Sequence, residues 1–386
     1  MENKLYVEVE KKLVGQLTKE NDEFLFSYTS ENKNAFISLT MQVRAKSYAN
    51  KHLHPIFEMH LPEGYLLSII KKHFSKIVKT DDFGLLQLMS KSIHGRLTYV
   101  HTDEIQEQFL TLEELLQPKS INLFNELVSR FALNSPLSGV QPKVLARVQD
   151  KATLKLDDYI VKSWGDDYPQ LALNEYYCMS IAKYAGIDVA DFYISDDDKL
   201  FIMKRFDIQE DGTTLGFEDM CVLQAKQRED KYEGSYEQIA KSIKIFVSPE
   251  HKRASLQAFF KIIIINNLVQ NGDAHLKNFG LIYKNITDIK LAPAYDIVST
   301  TVYIKNDIPA LTLLGSKKWW DKKYLLRFGV EFCELSKSDV LALYEECLHA
   351  LEIVKNEIDV RIQRENNEVK AKLLENLLKT FSLEKN

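Results

Sequence analysis

The chain has 386 residues, 45% hydrophobic and 27% charged, too long for one small core and too ordinary in composition for a disordered or fibrous protein, so two or three lobes are expected. Fifty basic against fifty-five acidic side chains leave a formal charge of −5, which excludes a global positive field for nucleic acid or anionic membrane; any such contact has to be local. Four cysteines without C-x-x-C spacing suit a reducing cytoplasm, no apolar run approaches the length of a bilayer span, and the first residues lack a signal-type segment, so a cytoplasmic protein without membrane contact is expected.

Alternation from Leu5 to Val9 and from Phe24 to Tyr28 predicts small antiparallel strands, with a turn at Val14-Gly15. After His54-Pro55, apolar residues recur at helical spacing through Lys72, and Phe83 to Met89 predict a second short helix before a strand at Leu97 to Val100. This makes a mixed module over residues 1–105. Next, a helical segment near Ile121 to Phe131 leads into strands at Lys143 to Val148, Ala152 to Leu156 and Tyr159 to Lys162. A helix at Leu171 to Tyr184, stopped by Gly186, and strands at Phe192 to Ile194 and Leu200 to Arg205 complete a strand-rich lobe over 106–235. From 236 to 386 helices dominate. Leu256 to Leu268 is apolar nearly all round, as in a helix buried at the centre of a lobe, and Asn271-Gly272-Asp273 breaks it. Two short strands follow, Phe279 to Tyr283 and Ile289 to Ala292, then amphipathic helices from Glu331 to Leu377.

The segment from Asn271 to Asp296, NGDAHLKNFGLIYKNITDIKLAPAYD, carries the chemistry. A buried helix delivers Asp273 onto a tight turn, Asn278 stands five residues later, and Asp296 follows a hairpin. Phosphoryl transfer needs a carboxylate to orient and deprotonate a hydroxyl, and oxygen ligands for the Mg²⁺ that accompanies nucleotide phosphates. Asp273 fits the first task as the base, and Asn278 with Asp296 the second, while His275 and Lys277 can contact phosphate or the carboxylate. Taken singly, each reads more readily as a solvated side chain or a turn cap; the combination with the apolar helix and the hairpin points to a kinase-like site. Such a site also needs a cation on the strand-rich lobe. Lys162 ends the apolar strand and Glu175 opens the next helix, so a lysine–glutamate pair over the phosphates is sterically sensible, with a surface lysine and a helix-terminal glutamate as the plainer alternative. Ahead of that strand, Ser138-Gly139-Val140-Gln141-Pro142-Lys143 offers one glycine and backbone N–H groups that can cradle phosphate, a weak signal by itself.

The segments SGVQPK, LNEYYC, KRFD, NGDAHLKNF and PAYDI, in that order, resemble those of the HipA family of bacterial serine/threonine kinase toxins. FEMHLPEG and FGLLQLMS resemble that family's N-terminal subdomain. The resemblance implies an α+β, two-lobed, protein-kinase-like fold with an N-terminal mixed subdomain and a largely helical C-terminal lobe. It implies Asp273 as the catalytic aspartate, Asn278 and Asp296 as Mg²⁺ ligands, and Lys162 on the ATP phosphates with Glu175 as its partner. It also implies Ser138 to Lys143 as the phosphate-facing loop, and Met203, Lys204, Arg205 and Phe206 as the hinge against adenine. Such an enzyme phosphorylates an aminoacyl-tRNA synthetase, halts translation, and is neutralised by a helix-turn-helix antitoxin with which it represses its own operon. Members often autophosphorylate a serine at the position of Pro136 or of Ser138; proline takes no phosphate, which leaves Ser138 as the expected site. A non-catalytic corepressor on operator DNA and a small-molecule phosphotransferase are the alternatives. The basic aromatic run KKWWDKKY, Lys317 to Tyr324, is expected to pack as a partly buried loop, with a contact to operator DNA as its other reading.

Overall fold

The computed structural model describes residues 4–20, 22–63, 67, 81–100, 109–120, 123–124, 126–127, 143–149, 156–165 and 167–382. The expectations for the helical run through 72, the 121–131 segment, the 152–155 strand and the loop residues Ser138, Gly139, Val140, Gln141 and Pro142 lie wholly or largely outside these. Three antiparallel sheets and ten α-helices make up the described residues.

The first sheet runs β4-β3-β2-β1-β5, with β1 Lys4–Val9, β2 Lys12–Glu20, β3 Glu23–Tyr28, β4 Tyr48–Asn50 and β5 Leu97–Tyr99. Alternate residues Leu5, Val7 and Val9 share a core with Phe57 of the short helix α1 (Pro55–Glu58) and Leu86 of α2 (Asp82–Met89). The turn expected at Val14-Gly15 is strand instead. The chain reverses at Glu10-Lys11, where two successive positive φ values, 52° and 60°, match the twist of a tight hairpin. Gly15 serves packing, because a Cβ there would stand 2.6 Å from both the Phe26 ring and the Ser27 carbonyl.

A capping box at Thr111 and Glu114 opens α3 (Leu112–Leu116), which precedes the second sheet. This sheet runs β6-β7-β9-β8, with β6 Lys143–Gln149, β7 Leu156–Lys162, β8 Phe192–Ile194 and β9 Phe201–Lys204; α4 (Leu171–Tyr184) lies between β7 and β8 in the chain. The strand–helix–strand succession is the one expected, with a single strand Leu156–Lys162 where the sequence suggested a break at Asp157-Asp158. Its register sets Lys143 opposite Lys162, so the two lysines stand side by side on one face. Val144, Ala146, Val161 and Ile202 join the same cluster as the N-terminal sheet, so the two units share a core.

The third sheet, β10-β11-β12, holds the expected hairpin of β11 (Gly280–Asn285) and β12 (Asp288–Leu291), plus a strand the sequence reading lacks, β10 (Gly216–Asp219). Four residues of mixed polarity give no period, and the pairing partner lies far along the chain. Around this sheet sit α5 (Met220–Leu223), α6 (Tyr236–Phe246), α7 (Pro249–Leu268), α8 (Lys322–Glu331), α9 (Lys337–Ile362) and α10 (Glu368–Phe381). Pro249 starts α7, and every residue from Phe259 to Leu268 is buried, so the second half of this helix, with Lys261, Asn266 and Asn267 among its apolar residues, runs through the middle of the lobe. One continuous cluster joins it to α4, α6, α8, α9 and α10. The end of this central helix fixes where Asp273 stands.

Candidate active site

A cavity of about 1110 Å³ opens between the second sheet and the helical lobe. One wall carries Lys143, Lys162 and the segment Met203, Lys204, Arg205 and Phe206; the other carries Asp273, His275, Lys277, Asn278 and Asp296. Glu175 stands behind Lys162, fully buried. The described residues expected at a kinase-like site therefore gather at one cleft, with Glu175 just behind its lining.

Lys162 Nζ donates to both Glu175 Oε1 and Asp296 Oδ1. Lys143 Nζ lies 3.7 Å from Asp296 Oδ2. Burial opposes ionisation of Asp296, but Lys143 and Lys162 outweigh it and hold the carboxyl well below the usual carboxylate range. Burial likewise works against the Lys162 ammonium and is outweighed by Asp296 and Glu175, so its pKa rises. Among the described residues Lys143 has only the longer contact; burial and the neighbouring Lys162 prevail there and lower its pKa. Glu175 is pushed up by burial despite Lys162, and its Oε2 has no hydrogen-bond partner among the described residues. Asp296 itself has φ +56°, a left-handed conformation that a non-glycine residue adopts at a cost.

Asp273 stands on the turn after α7. Beneath it, buried Asn271 donates from Nδ2 to Asn266 Oδ1 (2.9 Å) and to the Asp296 carbonyl (3.4 Å), and accepts from the Asp273 N–H (3.1 Å). The Gly272 N–H donates to Thr300 Oγ1 (2.8 Å), which donates onward to Asp307 Oδ2 (2.5 Å). The Asp273 carboxylate faces the open cleft and accepts from the Tyr232 hydroxyl at 2.9 Å. The protein around it raises its pKa above the usual carboxylate value, and the Tyr232 bond only partly opposes this. A carboxylate so placed is a strengthened base.

Asn278 accepts from the His275 N–H at 3.0 Å, and its Nδ2 lies 3.4 Å from Asp296 Oδ2. His275 is neutral: burial, then Lys231 and Lys277, push its pKa down to about 3. Lys277, expected on phosphate or on the Asp273 carboxylate, is paired instead with Glu63 of the N-terminal module, at 2.5 Å. Along the hinge, Lys204 pairs with Asp157 at 3.1 Å and Arg205 with Asp207 at 2.6 Å, while the Phe206 ring packs 5.7 Å from Tyr295.

Residues 135–355, more than half of the chain, match the family model for the HipA-like C-terminal domain, and residues 5–100 match that for the HipA N-terminal domain. The chain belongs to the HipA family. It is 28% identical over 323 residues to a putative kinase, Y4dM, of Sinorhizobium fredii, covering 76% of this chain and 75% of that one. It is 31% identical over 231 residues to a putative kinase of Haemophilus influenzae, covering 52% and 66%. The structure resembles HipA from the Shewanella oneidensis complex of HipA, HipB and operator DNA, with a TM-score of 0.72 at 20% identity over 98% of this chain and 96% of that one. The two-lobed, kinase-like α+β architecture expected from the sequence is thus the HipA fold. Among the described residues no helix is long and apolar enough to cross a membrane.

Two contributors to this HipA site escape a reading of the sequence. Tyr232 reaches Asp273 from a short 3-10 helix, Arg228–Tyr232, and Glu63 reaches Lys277 from the N-terminal module. Tyr232 carries no local pattern that announces it, and Glu63 lies in FEMHLPEG without a pattern that ties it to the site. The KKWWDKKY run packs, as its first reading has it, but it is a loop only up to Asp321, since Lys322 to Tyr324 open α8. Trp320 is buried and donates its backbone N–H to Asn267 Oδ1 (2.7 Å), and Trp319 Nε1 donates to the Asp307 carbonyl (3.1 Å). Lys318 Nζ stands 4.2 Å from the Trp320 ring centroid, and Lys322 pairs with Glu345 at 2.7 Å.

Proposed function

We propose that this HipA-family protein is a Mg²⁺- and ATP-dependent serine/threonine protein kinase, the toxin of a toxin–antitoxin pair. The observation that carries the reading is the buried Lys162 held between Glu175 and Asp296, in a cavity whose facing wall presents Asp273.

The residues fit the group they are asked to hold. Asp296 and Asn278 would hold Mg²⁺ through hard oxygen donors, and the Asn278 carbonyl keeps a second lone pair beyond the one facing the His275 N–H. Lys143 and Lys162 would neutralise phosphate charge. Leu145, Ile160, Met203 and Tyr295 line the cavity where an adenine would lie, against the hinge that ends at Phe206. Bound Mg²⁺ and ATP supply an electrophilic γ-phosphorus and a charge that eases departure of ADP. Asp273 takes the proton of the acceptor hydroxyl as its oxygen bonds to that phosphorus and the bond to the bridging oxygen of ADP breaks; the proton then passes to solvent.

The resemblance extends the reading to partners: an aminoacyl-tRNA synthetase as the phosphorylated protein, a helix-turn-helix antitoxin in the cytoplasm, and Ser138 as the site of autophosphorylation. The solved Shewanella assembly of HipA with HipB and operator DNA supports an antitoxin and an operator contact made through the complex, so a corepressor role and catalysis coexist in this reading.

The Asp273→Asn variant tests the assignment. Transfer of labelled γ-phosphate from Mg-ATP to casein is expected to fall by roughly 10²- to 10⁴-fold, the usual weight of a general base, with circular dichroism unchanged. Retained transfer by a folded variant would overturn it. Mass spectrometry of the wild-type protein after incubation with Mg-ATP is expected to find phosphate on Ser138.

A further inference from the structure

We infer that Glu63 of the N-terminal module is a positioning residue of the catalytic centre, fastening both flanks of Asp273 through Lys231 and Lys277. The inference rests on the kinase reading above. Glu63 Oε1 lies 2.5 Å from Lys277 Nζ and Oε2 lies 3.2 Å from Lys231 Nζ, with all three side chains nearly buried. The two lysines come from different segments, and each is next in sequence to a residue of the centre. Lys277 precedes Asn278, and its carbonyl accepts from the hydroxyl of Tyr295, the neighbour of Asp296, at 2.8 Å. Lys231 precedes Tyr232, whose hydroxyl donates to Asp273.

The same module holds the other end of the Tyr232 segment. Glu58 Oε2 accepts from the Arg228 N–H at 2.8 Å, and the Arg228 guanidinium pairs with Asp82 at 2.8 Å. The 3-10 helix Arg228–Tyr232 is therefore clamped at both ends by residues of the N-terminal module. Burial favours a protonated Glu63, but Lys277 and Lys231 outweigh it and keep the carboxyl ionised. Without that carboxylate, two nearly buried ammonium groups face each other, and Asp219 is left as the other carboxylate acting on Lys277. Repulsion then separates the flanks of Asp273. The N-terminal module is in this sense part of the catalytic device.

Glu63→Gln keeps the shape and removes the charge; Glu63→Asp keeps the charge one methylene short. With Mg-ATP and casein as a generic hydroxyl acceptor, Glu63→Gln is expected to lower kcat by roughly 10- to 100-fold, the scale of a small misplacement of a reacting group, while KM for ATP stays unchanged. Glu63→Asp is expected to recover part of the loss. In the full-length protein without nucleotide, amide exchange over 228–234 and 272–279 is expected to quicken in Glu63→Gln while α7 exchanges as before. Wild-type kcat with unaltered exchange in Glu63→Gln would overturn the inference. So would a loss of activity accompanied by a lowered Tm and faster exchange throughout α7, which marks a merely structural bond. Asp273→Asn run in parallel separates the two claims. An inert Asp273→Asn beside a fully active Glu63→Gln sinks the positioning role alone. An active Asp273→Asn sinks the base assignment and leaves the exchange data to judge Glu63.

Discussion

In the proposed kinase, where Asp273 takes a proton from an incoming hydroxyl, a donor already bonded to it opposes that step, and Tyr232 is such a donor, 2.9 Å from Oδ1. Burial raises the Asp273 pKa and the Tyr232 bond lowers it, so the phenol tempers the basicity of the carboxylate. Tyr232→Phe removes the bond and leaves the ring edge against His275 largely in place. The Asp273 pKa then rises further. Only the ionised base accepts a proton, so the rate falls as pH falls through that pKa, and a higher pKa moves the fall upward in pH. The acid limb of kcat/KM for Tyr232→Phe is expected at higher pH than in the wild type. A pH–rate profile measures this directly, and superimposable profiles would show that the bond is not maintained in the working enzyme.

At the scale of an element, the Asp273 turn is held by the segment that follows Asp296. A Cβ on Gly272 would stand 2.0 Å from Asp307 Oδ2 and 2.8 Å from Thr300 Oγ1, so Gly272→Ala has to break the Gly272–Thr300–Asp307 chain. The expected cost is about 1–3 kcal/mol of stability, read as a shift in urea midpoint at unchanged slope, together with a drop in kcat. Restoration by Gly272→Ala combined with Asp307→Ala, which clears the closest atom, would tie the defect to that contact. This turn also shows why the site was legible in part. Asp273, Asn278 and Asp296 lie on one local strand-turn unit behind a largely apolar buried helix segment, and such order survives in a sequence. Lys162 and Glu175 were legible because a strand end and a helix start are local signals too. Glu63, Tyr232 and β10 were not, since each acts through a partner in a remote segment, and pairing across the chain leaves no period. Gly15 misled for a related reason: glycine signals a turn locally, but here the Phe26 ring on the next strand demanded it.

The whole molecule is tied together at Glu218 on β10. This buried carboxyl accepts from the Leu39 N–H (2.7 Å) and the Ser38 hydroxyl (2.7 Å) of the N-terminal module, and from the Tyr283 hydroxyl (2.6 Å) of β11. Beside it the Arg96 guanidinium lies 4.4 Å from the Phe36 ring centroid and donates to the Phe36 carbonyl at 2.8 Å, so the joint is polar and aromatic at once. Burial raises the Glu218 pKa, and the hydrogen bonds from Tyr283, Leu39 and Ser38 offset this only in part. The folded state thus holds the proton more tightly than the unfolded chain. Its contribution to stability is fully present below the ordinary glutamate pKa and is lost as pH rises through the raised folded value. Glu218→Gln copies the shape of the protonated acid and does not titrate. It is expected to match the wild type at acid pH and to equal or exceed it at neutral pH. Glu218→Ala strands the donors and is expected to cost about 1–3 kcal/mol for each one left buried without a partner. Urea unfolding of the three proteins across the acid-to-neutral range checks this. A Gln variant that is less stable than the wild type at neutral pH would mean that the joint needs the charge itself, with Arg96 as its counter-ion, and not merely the acceptors.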